Sequence, residues 1–288
     1  MKIKEFLQQK YPKTPKYDIS FALERGLVSR GGQTLWNDDV TVKSGQSVQM
    51  AAVVYPTAKD VAAMIVFEDE HLMILNKPFN LASQPTADRG RINLVDLVRD
   101  FIWQRDQIVF EPGVVHRLDK DTSGLIIYLK DKALHKPIDK MFQNHRIQKT
   151  YWARVACAPQ PASGTWVSEL SEFPDPTTKK IIVRQASGFG LRDSGLIKFR
   201  QAKTRYKILA QEKNDVRLEL QPQTGRMHQL RVQCAEAGCP ILGDALYAPV
   251  EVRYYPLMFL HAVGLEFRHP ATQQLLNCQA IPHHWNSL

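Results

Sequence analysis

The sequence predicts an α+β fold, with a mixed, mainly antiparallel central sheet flanked by helices and a small N-terminal module that combines helix and strand. Three observations predict it. From residue 63 onward runs of strand period outnumber helical ones, and the helices fall between them irregularly, unlike the strict alternation of a doubly wound parallel sheet. Before residue 55 the hydrophobic period changes from helical to alternating, which places helices and a hairpin side by side. A length of 288 residues accommodates one large domain with a small companion, each with its own core.

The first unit is residues 1–56. Phe6 and Leu7 open a short helix that Pro12 and Pro15 interrupt, and Ile19, Phe21, Ala22 and Leu27 give a second amphipathic stretch. Val28, the Gly31-Gly32 pair, Val40, Val42 and Val48, punctuated by Asn37-Asp38-Asp39 and Gly45, carry the alternation and turn chemistry of short antiparallel strands. Residues 55–60 are polar, hold a proline and separate two apolar runs, so they read as a linker to the second unit, residues 57–288. There, residues 64–67 and 72–75 make two strands around an acidic turn. Leu94, Leu97, Val98, Phe101 and Ile102 are at helical spacing, as are Leu134, Ile138, Met141 and Phe142 after a cap at Asp131. Residues 124–129 and 151–155 read as strands. The proline-, glycine- and serine-dense stretch 158–203 reads as a long irregular hairpin. A final helix is marked by a cap at Thr224, a stop at Gly238 and a buried stripe of Met227, Leu230 and Cys234.

With 44% hydrophobic and 23% charged residues the chain is neither a disordered tail nor a membrane bundle, and no stretch approaches the roughly 18 apolar residues of a spanning helix. Residues 1–10 lack the apolar core of a secretory signal, so a cytoplasmic protein is expected. Cys157, Cys234, Cys239 and Cys278 form no C-x-x-C pair and read as four buried thiols; His283-His284 has no partner cluster, so no metal is expected. A net charge of +9 points to a polyanion, nucleic acid first.

The densest constellation is His116-Arg-Leu-Asp-Lys-Asp-Thr-Ser-Gly124, which sets two carboxylates, three potential cations and two hydroxyls just before an apolar strand. A polar turn before a strand holds the same residue types, whereas a kinase catalytic loop has a different spacing and needs a glycine-rich phosphate loop absent here. A second is Gln221-Pro-Gln-Thr-Gly-Arg-Met-His-Gln-Leu-Arg231. Arg226 falls in its first expected helical turn, where a cation opposes the helix dipole, so a negative group should lie opposite; Asp119 is the candidate. In the third, Lys149-Thr-Tyr-Trp-Ala-Arg-Val155, a period of two puts Lys149 and Tyr151 on one face. An aromatic on a sheet face beside cations suits single-stranded nucleic acid, whose bases stack and whose phosphates need positive charge, although a lone tyrosine of this kind is more often a core residue.

The run His116-Arg-Leu-Asp-x-x-Thr-Ser-Gly124 resembles the signature of the RluA-type pseudouridine synthases. Further motifs follow the same order: Phe67-Glu-Asp-Glu-His-Leu-Met-Ile-Leu-Asn-Lys-Pro78, Lys149-x-Tyr151, Thr224-Gly-Arg-x-His-Gln-Leu-Arg231, Leu242-Gly-Asp244 with Tyr247, and Leu260-His-Ala262 with His269-Pro270. Glu24-Arg-Gly-Leu-Val-Ser-Arg-Gly-Gly32 and Val42-Lys-Ser-Gly-Gln-Ser-Val48 are similar to the S-four-like (alpha-L) RNA-binding domain. Two departures stand out: Phe79-Asn80 follows Asn-Lys-Pro78 where the family has a small residue and glycine, and Gln233 stands where histidine is common.

The resemblance implies conversion of uridine to pseudouridine in structured RNA, ribosomal or transfer, by a monomer without cofactor. It assigns Asp119 as the carboxylate nucleophile or base, Arg226 as its ion-pair partner, and Tyr151 as the residue that stacks on the uracil and serves in proton removal. Arg117, Lys149, His228 and Arg231 are the expected RNA-binding residues, with Arg117 holding the place of the flipped nucleotide. Two other readings stand beside it: a non-catalytic RNA clamp, and a hydrolase using His116 and His228 as acid and base.

Overall fold

Ile3 and Leu7 lie one turn apart and bury one face of helix α1 (Ile3–Lys10). Pro15 then caps α2 (Lys16–Glu24), whose buried side chains include Ile19, Phe21, Ala22 and Leu23. These helices pack on a three-stranded sheet of β1 (Val28–Arg30), β2 (Gln33–Leu35) and β3 (Val48–Met50) in the order β2-β1-β3. Gly31 and Gly32 have φ of 56° and 82°, the paired positive values a two-residue hairpin turn requires between Arg30 and Gln33. Ile3, Leu7, Ile19, Ala22, Leu23, Val28, Leu35, Val42 and Val48 form a separate hydrophobic cluster. This is a computed structural model, and it describes residues 1–36, 39–86, 92–184, 197–212, 215–283 and 285. Asn37, Asp38 and His284, named above in a turn and a tail, lie outside the described residues.

After the polar connection, Thr57 and Asp60 close a capping box around a short 3-10 turn that leads into α3 (Val61–Met64). Strands β4 (Ile65–Glu68) and β5 (Leu72–Lys77) follow as a hairpin whose turn is held by Asp69, which accepts from the His71 and Leu72 amides at 2.8 Å each. Asn93 caps α4 (Leu94–Asp106), and β6 (Gly113–Val114) and β7 (Ser123–Leu129) flank the loop with the densest motif. Asp131 caps the 3-10 turn that leads into α5 (His135–Gln143). The chain continues through β8 (Gln148–Val155), β9 (Ser163–Ser171), β10 (Val183–Arg184), β11 (Phe199–Glu212) and β12 (Asp215–Pro222). It closes with α6 (Gln229–Glu236), the single turn α7 (Val250–Arg253), β13 (Leu260–Arg268) and β14 (Leu275–Gln279).

Among the described residues these strands make one 11-stranded sheet, β10-β9-β11-β12-β8-β13-β7-β5-β4, with β14 on β13 and β6 on β7. Every pairing is antiparallel except β13 with β7, which run parallel at His261–Ser123 and Ala262–Gly124. The expected mixed, mainly antiparallel sheet is present. All seven residues of β7 are buried because α4 and α6 belong to the core on one face, with Leu75, Tyr128 and Ala153, while α5 packs on the other with Ile74, Ile127 and Phe267. At the parallel junction Gly124 has φ of 107°, and a Cβ there would overlap the Ala262 carbonyl oxygen and amide nitrogen. The loop ahead of β7 therefore enters the sheet where β13 and β7 meet.

Three expectations need correction. Residues 158–203 do form a hairpin, but its arms are regular: β9 and β11 pair antiparallel in register from Ser163–Lys207 to Ser171–Phe199, and residues 185–196 of the connection lie outside the described residues. Their inward positions include the small or polar Ser168, Ala202 and Thr204 while Val167 is exposed, so the apolar alternation that marks a strand is weak. The last helix begins at Gln229 rather than Thr224, because residues 224–228 form a turn in which His228 takes φ of 53°. Cys157 is exposed, whereas Cys234, Cys239 and Cys278 are buried. Among the described residues no helix is long and apolar enough to cross a membrane.

Candidate active site

All seven expected site residues, Arg117, Asp119, Lys149, Tyr151, Arg226, His228 and Arg231, line one cleft of about 1130 Å³. Its floor is β8 and β12, one wall is the 116–122 loop, and the other is the 221–231 segment running into α6. Both polar motifs therefore face the strand that carries Lys149 and Tyr151, as the sheet order β12-β8-β13-β7 requires.

The loop that presents Asp119 is held from beneath. The Ser83 hydroxyl donates to the Leu118 carbonyl (2.8 Å) and accepts from the Leu118 amide (3.1 Å), and the Thr122 amide donates to the Asp119 carbonyl (3.1 Å). Lys77, fully buried, donates to the carbonyls of Pro78 (3.0 Å), Leu81 (2.8 Å) and Lys120 (3.1 Å). Burial pushes its ammonium down to about 7, against the opposing pull of Asp121 and Asp119. Asn80 adopts φ of 58° and its side chain accepts from Lys120 at 3.4 Å, so the turn after Asn-Lys-Pro78 survives the replacement of glycine. Burial pushes the Asp121 carboxyl up, but Lys120, Arg25 and Arg231 outweigh it and hold the group well below the usual carboxylate range.

Asp119 is about one quarter exposed and is met by two groups at one oxygen. Arg231 Nη1 donates to Oδ2 at 3.1 Å, and His228 Nε2 lies 3.8 Å from the same atom. Arg231 is itself fixed: Nε and Nη2 donate to the two oxygens of Asp244 at 2.8 and 2.7 Å. Asp244 also accepts from the Leu246 and Tyr247 amides at 2.9 and 3.1 Å. Rigid backbone thus orients Asp244, Asp244 orients the planar guanidinium, and the remaining Nη1 reaches Asp119. The Arg231 guanidinium is buried, and the charges of Asp244, Asp119 and Asp121 overcome its desolvation and hold it protonated. Among the described residues Asp119 Oδ1 accepts no hydrogen bond.

This arrangement corrects one assignment and changes another. Arg226 does not pair with Asp119. Its amide is captured by Gln229 Oε1 (3.0 Å) and its Nε donates outward to the Gln201 carbonyl (3.1 Å), which leaves it an exposed cation on the cleft rim. Because the helix starts at Gln229, the residue in its first turn is Arg231, and the demand for a nearby anion falls on that residue. Arg231, expected to hold RNA, is instead buried and engaged by two carboxylates.

Tyr151 is 8% exposed, and burial, reinforced by the Asp119 charge, pushes its phenol above the ordinary range, so it is a neutral donor at physiological pH. Burial likewise keeps His228 neutral. Tyr247 Oη accepts from the Ile181 amide (2.9 Å) and lies 2.8 Å from His228 Nδ1; with the Tyr247 hydroxyl donating to Nδ1, the N–H of neutral His228 is on Nε2 and faces Asp119. Lys149 is half-buried, which lowers its pKa, and stands 5.8 Å from the Phe142 ring. Arg117 is exposed on the cleft wall. His116 is no acid or base: the Ile127 amide donates to its Nε2 at 2.9 Å, and burial pushes it down to about 3. This removes one half of the hydrolase reading.

Gln233 replaces a titratable ring with a structural amide. It accepts from the Thr204 hydroxyl at 2.6 Å and donates to the Ala202 carbonyl at 3.3 Å, tying α6 to β11. Sequence reasoning named Asp244 only within a motif and gave no role to Lys77, Ser83 or Arg25. The available signals were a lysine at the end of an apolar strand and an aspartate beside a glycine.

Residues 71–236 match the family described as RNA pseudouridylate synthase. The chain is 34% identical over 230 residues to a dual-specificity RNA pseudouridine synthase of Vibrio cholerae, covering 78% of this chain and 85% of that one. It is 31% identical over 233 residues to ribosomal large subunit pseudouridine synthase D of Zymomonas mobilis, covering 77% and 70%. Among solved structures it is similar to human RNA pseudouridylate synthase domain containing 4, with a TM-score of 0.62, 26% identity, and coverage of 80% of this chain and 92% of that one. With the signature loop, its ion-paired aspartate and the cleft in one place, the chain belongs to the RluA-type RNA pseudouridine synthases.

Proposed function

We propose that this chain isomerises uridines in structured RNA, ribosomal or transfer, with Asp119 as the reacting carboxylate and Arg231 as the group that holds it. The observation that carries the reading is the asymmetry at Asp119, a cleft-lining residue: Arg231 and His228 both address Oδ2, and among the described residues Oδ1 accepts no hydrogen bond. A carboxylate fixed through one oxygen is oriented and kept ionised, and the other oxygen is available to react.

The reaction breaks the bond from N1 to the ribose and joins the ribose to C5 of the same base, so the C5 proton must leave and N1 must gain one. No electrons are exchanged and no group is donated, which a cleft of protonic side chains can accomplish. The target nucleotide has to leave its stack to reach Asp119 inside the cleft, and Arg117, exposed on the same loop, is placed to occupy the position it vacates. Tyr151 offers its ring to the uracil, and its neutral phenol takes up the departing C5 proton only as it passes its own proton on to N1 or to solvent, which keeps the protons in balance. Lys149 and the rim cation Arg226 serve the phosphates on either side. His228, neutral with its N–H toward Asp119, orients the carboxylate. The large-subunit ribosomal name of the Zymomonas relative supports ribosomal RNA as a substrate class. In the same reading residues 1–56 supply a second RNA contact and the protein works as a cytoplasmic monomer.

The test is tritium release from unmodified ribosomal and transfer RNA transcripts labelled at uridine C5, since isomerisation expels that hydrogen. The parent chain is expected to release it without added cofactor, and Asp119→Asn to lose at least ~10³-fold in rate, about 4 kcal/mol of transition-state stabilisation, while still retaining RNA on a filter. An Asp119→Asn protein as active as the parent refutes the reading.

A further inference from the structure

Arg25, at the end of α2, is 4% exposed and leaves its own module to enter the catalytic domain. Its Nη1 donates to the Gly243 carbonyl at 2.8 Å and reaches the Tyr255 carbonyl at 3.4 Å, and its Nη2 lies 3.4 Å from Asp121 Oδ2. The two main anchors matter for what they adjoin. Asp121 is at the tip of the turn closed by the Thr122 amide on the Asp119 carbonyl, two residues from the reacting carboxylate. Gly243 precedes Asp244, whose carboxylate aims Arg231 at Asp119. One guanidinium therefore ties the turn that carries Asp119 to the segment that carries Asp244, the anchor of Arg231.

The contact is reinforced on both sides. Lys120, between Asp119 and Asp121, places Nζ 4.8 Å from the ring centre of Phe21, one turn before Arg25 on the same helix, and is ion-paired with Asp121 at 3.2 Å. Trp36 packs on Tyr254 at 5.6 Å, next to the carbonyl that Arg25 reaches. Both side chains at the tip of the Asp119 turn are thus held by α2. A buried guanidinium bound to this set is a geometric clamp, because its planar donors fix directions as well as charge.

We infer that Arg25 is a positioning residue for Asp119, and that the N-terminal module is a built-in part of the catalytic apparatus rather than only an RNA-binding appendage. The inference rests on the uridine-isomerisation reading above. A tethered binding arm acts on RNA affinity and leaves the bound complex to react at its own rate; a clamp on the catalytic turn acts on turnover after RNA is bound. A displacement of the order of 1 Å in a reacting group can cost ~100-fold in rate.

The experiment measures kcat and KM by tritium release from the labelled transcripts, using the full chain and its variants. Arg25→Ala is expected to lower kcat ~10- to 100-fold while KM moves less than about threefold, and methylguanidinium added at millimolar concentration should restore part of kcat. Arg25→Lys keeps the charge and the apolar stem, so it serves where the alanine variant does not fold; with its point charge unable to reach both anchors, it should still lose ~10-fold in kcat. A loss confined to KM, or a folded Arg25→Lys protein with the parent kcat, overturns the inference. Absence of tritium release by the parent chain overturns the functional reading together with this inference, whereas an active parent with fully active Arg25 variants overturns this inference alone.

Discussion

Asp244→Asn tests the support beneath the candidate active site. The Asp244 side chain is 1% exposed and accepts four hydrogen bonds, two from the Arg231 guanidinium and two from the Leu246 and Tyr247 amides. Asparagine can keep the amide contacts through its oxygen, but its NH₂ then faces Arg231 donors, and the only full charge left directly on the guanidinium is Asp119. Removing one partner of a buried pair costs about 3–5 kcal/mol, and the residual Asp119 contact places this case near 3 kcal/mol. With a urea slope of about 3 kcal/mol per molar, at the upper end for small proteins and suited to a chain of this size, the midpoint should fall by ~1 M. Urea titration followed by far-ultraviolet circular dichroism reads this directly. Burial raises the Asp244 carboxyl, but Arg231 and the two amides outweigh it, so its folded value lies below the ordinary 3.8. Its ion-pair contribution is therefore complete at all pH values above the unfolded value and is lost as pH falls through the folded one. The gap between parent and variant should be constant from neutrality to about pH 4 and close below that. A midpoint lowered by less than ~0.3 M, or a gap that widens under acid, would refute the view that Asp244 anchors Arg231.

Three further outcomes follow from the same geometry. Arg226→Ala should raise KM, leave kcat unchanged and reduce the salt slope of RNA binding by about one, whereas Arg231→Lys should lower kcat, because only the second residue holds Asp119; the reverse pattern would restore the Arg226 assignment. Tyr151→Phe retains the ring but not the phenol oxygen, so filter binding should stay near the parent value while tritium release slows ~10²-fold or more, the lower range for a group in proton transfer. Gly124→Ala should give insoluble protein or a large loss of thermal stability, because the added Cβ meets Ala262 backbone on the central strand and needs φ of 107°; a soluble variant with the parent melting temperature would show that the β13–β7 junction can yield.

Much of the fold is written in local periodicity. Helices α1, α2, α4 and α5 and strands β4, β5, β7 and β8 follow from apolar spacing, caps and turn residues a few positions apart. Where that signal is weak the reading stopped short: β9 and β11 turn small or polar residues such as Ser168, Ala202 and Thr204 inward, β13 was visible only as a motif fragment, and β14 was not named. The chemistry-bearing residues were also legible, since all seven line one cleft.

By itself the sequence determined the family and singled out the candidate carboxylate and the aromatic of the cleft floor, because those depend on residue types at short spacing. The tertiary structure decided which arginine meets Asp119. Arg226 and Arg231 differ by five positions in one motif, and both satisfy the charge requirement. The choice turns on where α6 begins, which depends on Gln229 capturing the Arg226 amide and on Gln229 and Gln233 bonding Thr204 of β11. That contact joins residues far apart in the chain, as does the Arg231–Asp119 pair at a separation of 112 residues. No local pattern encodes it. The same holds for Arg25, an unremarked cation at a helix end until the chain folds and brings Asp121 and Gly243 to its two ends.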